Sequence, residues 1–379
     1  MSATRSTMPG SFPFFDYFIP SHTVDFTAEN EVAARIDITS RFLDAFPVAD
    51  AGFEFVVFPN KLAPRDIDVQ VERFRGAARQ LQHGHRVKVH ASMHFPTKNN
   101  LDLFLGSPEP DTRKRVLALF DQCLDLAVAA GIRTVVVHSG ANINNAAWIR
   151  MKDDYQVKQR QLTTIAERIR EMLGACVDKG FKGKLAWENV PWPFDIPDTL
   201  TYTNIIPRDF TIVLAALEAM AIPNLDQLGI CADLCHSWIV ERVARLHAHR
   251  PRLAGQARVP PGVFAAEEPD FLALADMSTF IGTFGERITH VHLADSSGEL
   301  ELESDGVTCK RQPSEGAELG TGDFCRSPAL SRVLKQIAAG LRPREKILCT
   351  LEVKDADFSR PEKAYRSLLF LGNTFFKKK

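Results

Sequence analysis

Two rhythms of apolar residues alternate along the chain. Short runs rich in β-branched and aromatic residues are followed by longer stretches whose apolar positions repeat with helical spacing. Strands and helices laid down in turn in this way build a parallel sheet. FEFVVFP (Phe53–Pro59), RVKV (Arg86–Val89), RTVVV (Arg133–Val137), KLAW (Lys184–Trp187), LGICA (Leu228–Ala232), ITHV (Ile288–Val291) and KILCTL (Lys346–Leu351) read as strands. A first strand over Phe14–Ile19 brings the number to eight. Helices are predicted over Thr112–Ala130, Asp154–Lys179, Pro207–Met220 and Pro328–Ala339. Gly131, Gly180 and Gly340 each follow one of them, where a left-handed C-terminal cap is expected.

Eight strands alternating with helices predict an α/β chain folded as one (β/α)8 barrel domain over residues 1–379, with residues 1–13 peripheral. Three enlarged segments, Pro191–Pro207, Arg250–Glu268 and Ser296–Asp323, follow strands five, six and seven. In such a barrel they lie at the C-terminal face, where substrate loops sit.

Composition narrows the function classes. The net charge is −1 over 379 residues, so no general basic field is available to hold nucleic acid. No apolar run approaches the roughly 20 residues that span a bilayer, and the first residues lack the basic-then-apolar order of a signal peptide. Seven cysteines without a CxxC pair read as reduced thiols of a cytoplasmic protein. A small-molecule substrate is the expected partner, and assembly as a homo-oligomer is left open.

Chemistry concentrates at the strand ends. Six of them finish on a potential metal ligand: VKVHAS (His90), VVVHSG (His138), LAWENV (Glu188), CADLCH (Asp233, with His236), HVHLADS (His292) and CTLEVK (Glu352). One histidine after an apolar run is more often a packed structural residue, and one glutamate there often caps a helix. Parallel barrel strands point their C-terminal ends at one mouth, however, so six such endings converge. Mixed imidazole and carboxylate donors suit Zn²⁺, Mn²⁺, Co²⁺ or Fe²⁺. His290, two residues before His292, shares its side of the strand one layer deeper and reads as a packing residue or as one supporting the ligands from behind. His94 reads as lying past a strand end, within reach of substrate, and His83, His85, His247 and His249 as surface residues.

With HASMHF, AGIRTVVVHSGA, WEN, GICADLCHSW, HVHLADS, LGTGDF and LEV in hand, the chain resembles the xylose isomerase-like TIM barrels over roughly residues 50–372. That superfamily includes endonuclease IV and sugar epimerases of the tagatose/psicose type. The resemblance implies one divalent metal on Glu188, Asp233, His292 and Glu352, with His236 contacting substrate. It also implies that His90 and His138 serve a second ion or the substrate. The Asp-x-His pair that completes a third zinc site in endonuclease IV is replaced here by Ser314 and Gly316.

Two reactions compete. In an isomerase or epimerase of a sugar or polyol derivative, the metal acidifies a C–H beside a carbonyl, while Glu188 and Glu352 remove and return the proton. Trp187, Trp192, Trp238 and Phe95 are the expected pocket walls. In the alternative, an endonuclease IV-like phosphodiester hydrolase, His90, His138 and a bridging Glu188 hold a second ion. Another lyase or hydrolase on the same metal scaffold stays open.

Overall fold

The computed structural model describes residues 12–96, 105–107, 109–141, 155–191, 201–249, 275–297, 301–302, 309–311, 314–342, 345–355 and 359–376. Eight parallel strands close into a ring: β1 (Phe18–Val24), β2 (Asp50–Val56), β3 (Lys88–His94), β4 (Thr134–Val137), β5 (Lys184–Glu188), β6 (Leu228–Asp233), β7 (Ile288–Leu293) and β8 (Ile347–Leu351). Neighbours in sequence are neighbours in the ring, and β8 pairs with β1 through Phe18↔Ile347 to His22↔Leu351. Around it run α1 (Glu29–Ala45), α2 (Pro64–His85), α3 (Pro110–Ala130), α4 (Tyr155–Asp178), α5 (Pro207–Ala219), α6 (Leu234–His249), α7 (Met277–Phe284), α8 (Pro328–Gly340) and α9 (Glu362–Phe375). The (β/α)8 architecture is therefore as expected. Among the described residues no helix is long and apolar enough to cross a membrane. Six cysteines of that set are buried and unpaired.

The core is the layer between ring and helices. Phe53 and Phe55 of β2 pack there against Phe26 and Phe74, and Trp187 of β5 packs on Phe210 of α5 at 4.3 Å between ring centroids. Residues of opposite parity along each strand face the lumen.

Three strand boundaries move from their expected places. Phe14–Tyr17 form a helical turn, with Phe14 stacked on Phe375 of the last helix, so β1 begins only at Phe18. It then runs through Pro20, which lies opposite Cys349. A proline normally argues against a central strand because it removes one ladder donor, yet ring closure carries β1 past it. The second strand starts at Asp50 instead of Phe53. The third covers Lys88–His94 instead of Arg86–Val89, because its alternating polar residues His90, Ser92 and His94 face a polar lumen.

Gly131 and Gly180 adopt the left-handed φ values of +67° and +68° expected of C-terminal caps. Gly340 does not share that conformation and is the last residue of α8. Its requirement is proximity, since a Cβ there would lie 2.8 Å from the backbone carbon of Gly285. Gly340→Ala should destabilise the protein by about 1–3 kcal/mol through that overlap, outweighing the roughly 1 kcal/mol of helix propensity gained. A urea midpoint at or above wild type would show that the two backbones separate freely.

Candidate metal centre

The C-terminal ends of six consecutive strands supply the site. His94 is the last residue of β3, and His138 follows β4 directly. Glu188 and Asp233 end β5 and β6, His292 is the penultimate residue of β7, and Glu352 follows β8. Donor atoms of Glu188, Asp233, His292 and Glu352 all lie within 4.8 Å of one another. A second grouping of that compactness is His94, Glu188 and His292, and a third, deeper one is Cys231, His290 and His292.

Glu188 is the centre of this arrangement and is fully buried. His138 Nε2 lies 3.1 Å from its Oε2, His292 Nδ1 3.2 Å and His94 Nε2 3.3 Å, while His236 Nδ1 approaches Oε1 at 3.4 Å. Burial alone would raise the pKa of the Glu188 carboxyl, but the imidazoles of His292 and His138 hold it well below the usual carboxylate range. Asp233 goes the other way. Burial pushes it up to about 7, with His236 opposing and the neighbouring Glu188 and Glu352 adding to the rise.

The local chain holds Asp233 firmly. Asn189, next to Glu188, accepts from the Asp233 N–H (2.8 Å) and donates to its carbonyl (2.9 Å). Asp233 Oδ1 accepts the backbone N–H of His236 at 2.7 Å across the first turn of α6. His236 Nδ1 lies 2.9 Å from the Asn189 carbonyl, and its Nε2 faces Glu315 Oε1 at 3.5 Å. Burial opposes charge on His236, but Asp233 and then Glu315 raise its pKa to about 9. Glu315 falls to about 2 in return; burial resists that shift, and His236 and Lys354 drive it.

Three carboxylates within one cluster repel one another in a buried setting, and a divalent cation would offset that repulsion. His292 Nδ1 and Glu188 Oε1 are also buried without a hydrogen-bond partner. Orphaned polar atoms of this kind carry a desolvation cost that coordination would remove. Oxygen donors with one imidazole suit a divalent ion of the zinc or manganese type.

The structure brings together Glu188, Asp233, His292, Glu352, His236 and His138, but not His90. That residue is the third of β3, near the opposite end of the ring, where its Nε2 lies 2.8 Å from Asp50 Oδ1 and Arg133 faces its Nδ1. The expected strand was too short by several residues, which put its end at His90 when it is at His94. His290 lies one layer below His292, 2.9 Å from Glu54 Oε2. His85, expected at the surface, is partly buried against Ser40.

The aromatic walls also need correction. Trp187 alternates with Glu188 along β5, so it points out of the ring, fully buried, and donates to Ser139 Oγ at 2.9 Å. Phe95 is buried against Phe120, and Trp238 packs on Phe324. All three belong to the layer between ring and helices. Trp192 and the side chains of His247 and His249 lie outside the described residues. Among the described residues, Tyr202 places an aromatic ring beside the site, edge-on to His138 at 5.6 Å between centroids.

Sequence reasoning also missed Glu54, a fully buried carboxylate in the middle of β2. Burial opposes its charge, yet His292 and His290 hold its pKa well below the ordinary value. The signal was a charged residue flanked by phenylalanines in FEF, where strand alternation turns it away from the apolar layer.

Fold and site together define a (β/α)8 barrel with a carboxylate–imidazole centre at its C-terminal mouth. The chain belongs to the family of xylose isomerase-like TIM barrels, whose pattern matches residues 47–373. Solved structures with the same fold include a D-tagatose 3-epimerase-like protein (16% identity, TM-score 0.52, covering 94% of this chain and 97% of that one). Another is the 3-keto-D-glucoside 4-epimerase of E. coli (13%, TM-score 0.52, 94% and 99%). A third is the D-psicose 3-epimerase of Clostridium cellulolyticum (11%, TM-score 0.51, 94% and 99%). At these identities the likeness is one of fold. No curated protein sequence matches the chain.

The titrating groups set the pH response of the metal-free protein. Asp233, His236 and His292 have pKa values above their ordinary ones, so their contribution to stability is present at low pH and lost as pH rises through the folded values. Glu188 and Glu54 are depressed, so theirs is lost only below the ordinary carboxylate range. Burial lowers the pKa of His22, His90 and His290, which act in the opposite sense while the unfolded imidazoles titrate. It is therefore above about pH 7 that the melting temperature of chelator-treated protein should fall, as pH is raised toward about 9. Added Mn²⁺ or Zn²⁺ should flatten that slope, and a slope that the cations leave unchanged would contradict this account of the cluster.

Proposed function

We propose that this protein is a metal-dependent isomerase or epimerase acting on a sugar or polyol derivative by proton abstraction beside a carbonyl. The observation that carries the reading is the convergence of Glu188, Asp233, His292 and Glu352 at one barrel mouth. When bound there, a divalent ion would draw electron density from two neighbouring substrate oxygens and acidify the adjoining C–H.

The residues around it divide the remaining work. Glu188 and Glu352 come from β5 and β8, with β6 and β7 between them in the ring, so they approach a central ligand from different sides. Epimerisation needs one base on each face of the carbon. The two differ in setting. Glu188 is enclosed by imidazoles and fully buried, whereas the Glu352 side chain is 27% exposed. His236, charged and braced by Glu315, is placed to donate a hydrogen bond to a substrate oxygen. Tyr202 offers a ring face beside His138.

Glu188→Gln and Glu352→Gln preserve volume while removing the base. Each should lower turnover by at least the 10²–10⁴-fold typical of a lost acid–base group and leave a folded protein by circular dichroism. Near-normal turnover in either variant would remove that carboxylate from the mechanism.

A second reading, metal-assisted hydrolysis of a phosphodiester, draws on His94 and His138, which flank Glu188 and could hold another ion with it. Against it stands the loop before Gly320. Gly316 has φ +73°, and a Cβ there would lie 2.6 Å from Lys354 Cγ, so a histidine does not fit this backbone. The position facing His236 is occupied by the carboxylate of Glu315, which Lys354 also engages at 3.2 Å. The two readings separate in one pair of assays with metal-loaded protein. Proton exchange or epimerisation of a ketohexose is expected, and nicking of a duplex containing one abasic site is not. Metal-dependent nicking at catalytic rates would reverse the assignment.

A further inference from the structure

Glu54 takes no part in the site described above, yet the lumen is organised around it. Its carboxylate accepts from Ser92 Oγ at 2.9 Å and from Thr350 Oγ1 at 3.3 Å. His290 Nε2 lies 2.9 Å from Oε2, and His292 Nε2 lies 3.1 Å from Oε1. These partners come from β3, β7 and β8, so they meet Glu54 of β2 only inside the ring. All five residues are fully buried.

The orientation of His292 gives this contact its meaning. Its Nδ1 faces Glu188 Oε2 at 3.2 Å and Glu352 Oε1 at 3.4 Å, while Nε2 faces Glu54. A neutral imidazole carries one N–H, and the nitrogen that binds a cation must present its lone pair. With the proton on Nε2 and donated to Glu54, the lone pair of Nδ1 points into the carboxylate cluster. Ser92, Thr350 and His290 in turn hold Glu54 in place, so the ring of His292 has one orientation.

We infer that Glu54 is a positioning residue, the buried carboxylate that fixes the tautomer and orientation of His292 for a divalent cation held by Glu188, Asp233, His292 and Glu352. The inference rests on the metal reading of that cluster. A carboxylate behind a ligating histidine also raises the basicity of the nitrogen that faces the metal, and its loss typically costs 10–100-fold in metal affinity.

Co²⁺ titration of the full-length, chelator-stripped protein tests this, with binding followed by calorimetry and by the visible d–d bands of the bound ion. Glu54→Ala should weaken Co²⁺ affinity by about 10–100-fold and alter the d–d spectrum. Glu54→Gln keeps an oxygen acceptor for Nε2–H and should retain more of the affinity than the alanine variant. Ser92→Ala, which removes one of the contacts holding Glu54 but leaves the carboxylate facing His292, should lower the affinity by less than Glu54→Ala does. Near-isosteric Glu54→Gln keeps the test valid if the alanine variant does not fold, because its affinity should still fall below wild type. Wild-type affinity and spectrum in both folded Glu54 variants would overturn the inference while leaving the metal reading intact. Failure of the wild-type protein to bind Co²⁺, Mn²⁺ or Zn²⁺ would overturn both.

Discussion

Charge balance inside a closed ring is the constraint on which the rest of the molecule depends. Parallel closure sends the C-terminal ends of all the strands to one mouth, and six of those ends carry imidazole or carboxylate. Isolated charges would not survive such burial. Here each carboxylate has a counterpart: Glu188 has His94, His138, His236 and His292 around it, and Glu54 has His290 and His292. His292 serves both carboxylates with its two nitrogens, and so joins the mouth to the layer beneath.

That lower layer has two characters. Stepping back two residues along each strand from the site residues gives Ser92, Val136, Ala186, Cys231, His290 and Thr350. Val136, Ala186 and Cys231 form a small apolar cluster of their own under His138, Glu188 and Asp233. Ser92, His290 and Thr350 surround Glu54 on the other side. The apolar half packs without polar demands, and in the polar half Ser92, His290 and Thr350 converge on the Glu54 carboxylate. A barrel interior filled only by branched apolar residues would support the mouth sterically but could not orient an imidazole.

The loops add a further level of order. Buried Asp295, just past β7, accepts N–H groups from Gly320 and Gly322 at 2.8 Å and from Cys325 at 3.1 Å. It thereby folds the Gly320–Gly322 segment back against the barrel, and the same return path presents Glu315 to His236. Family membership sets the scaffold, and these particular contacts determine which chemistry the scaffold can host.

The alternation of strand-like and helix-like segments was enough to read the eight-fold barrel, because one period-two or period-3.6 pattern repeats through most of the chain. Glu188, Asp233, His292 and Glu352 were legible as strand ends for the same reason, since each sits where an apolar run stops, while their selection as one ligand set came from the resemblance to the family. What the sequence left undetermined at β3 and β5 was which face of the strand is polar. A polar lumen makes HASMH look like a loop when it is the upper half of β3, so His90 was read as a strand end and His94 as lying beyond it. Trp187 looked like a pocket wall because it adjoins Glu188, yet adjacent residues of a strand face opposite ways, and only the packed helix α5 shows which way is out. Glu54 lies more than a hundred residues from every histidine it meets in the ring. Contacts of that separation arise from closure of the barrel, and local pattern contains no information about them.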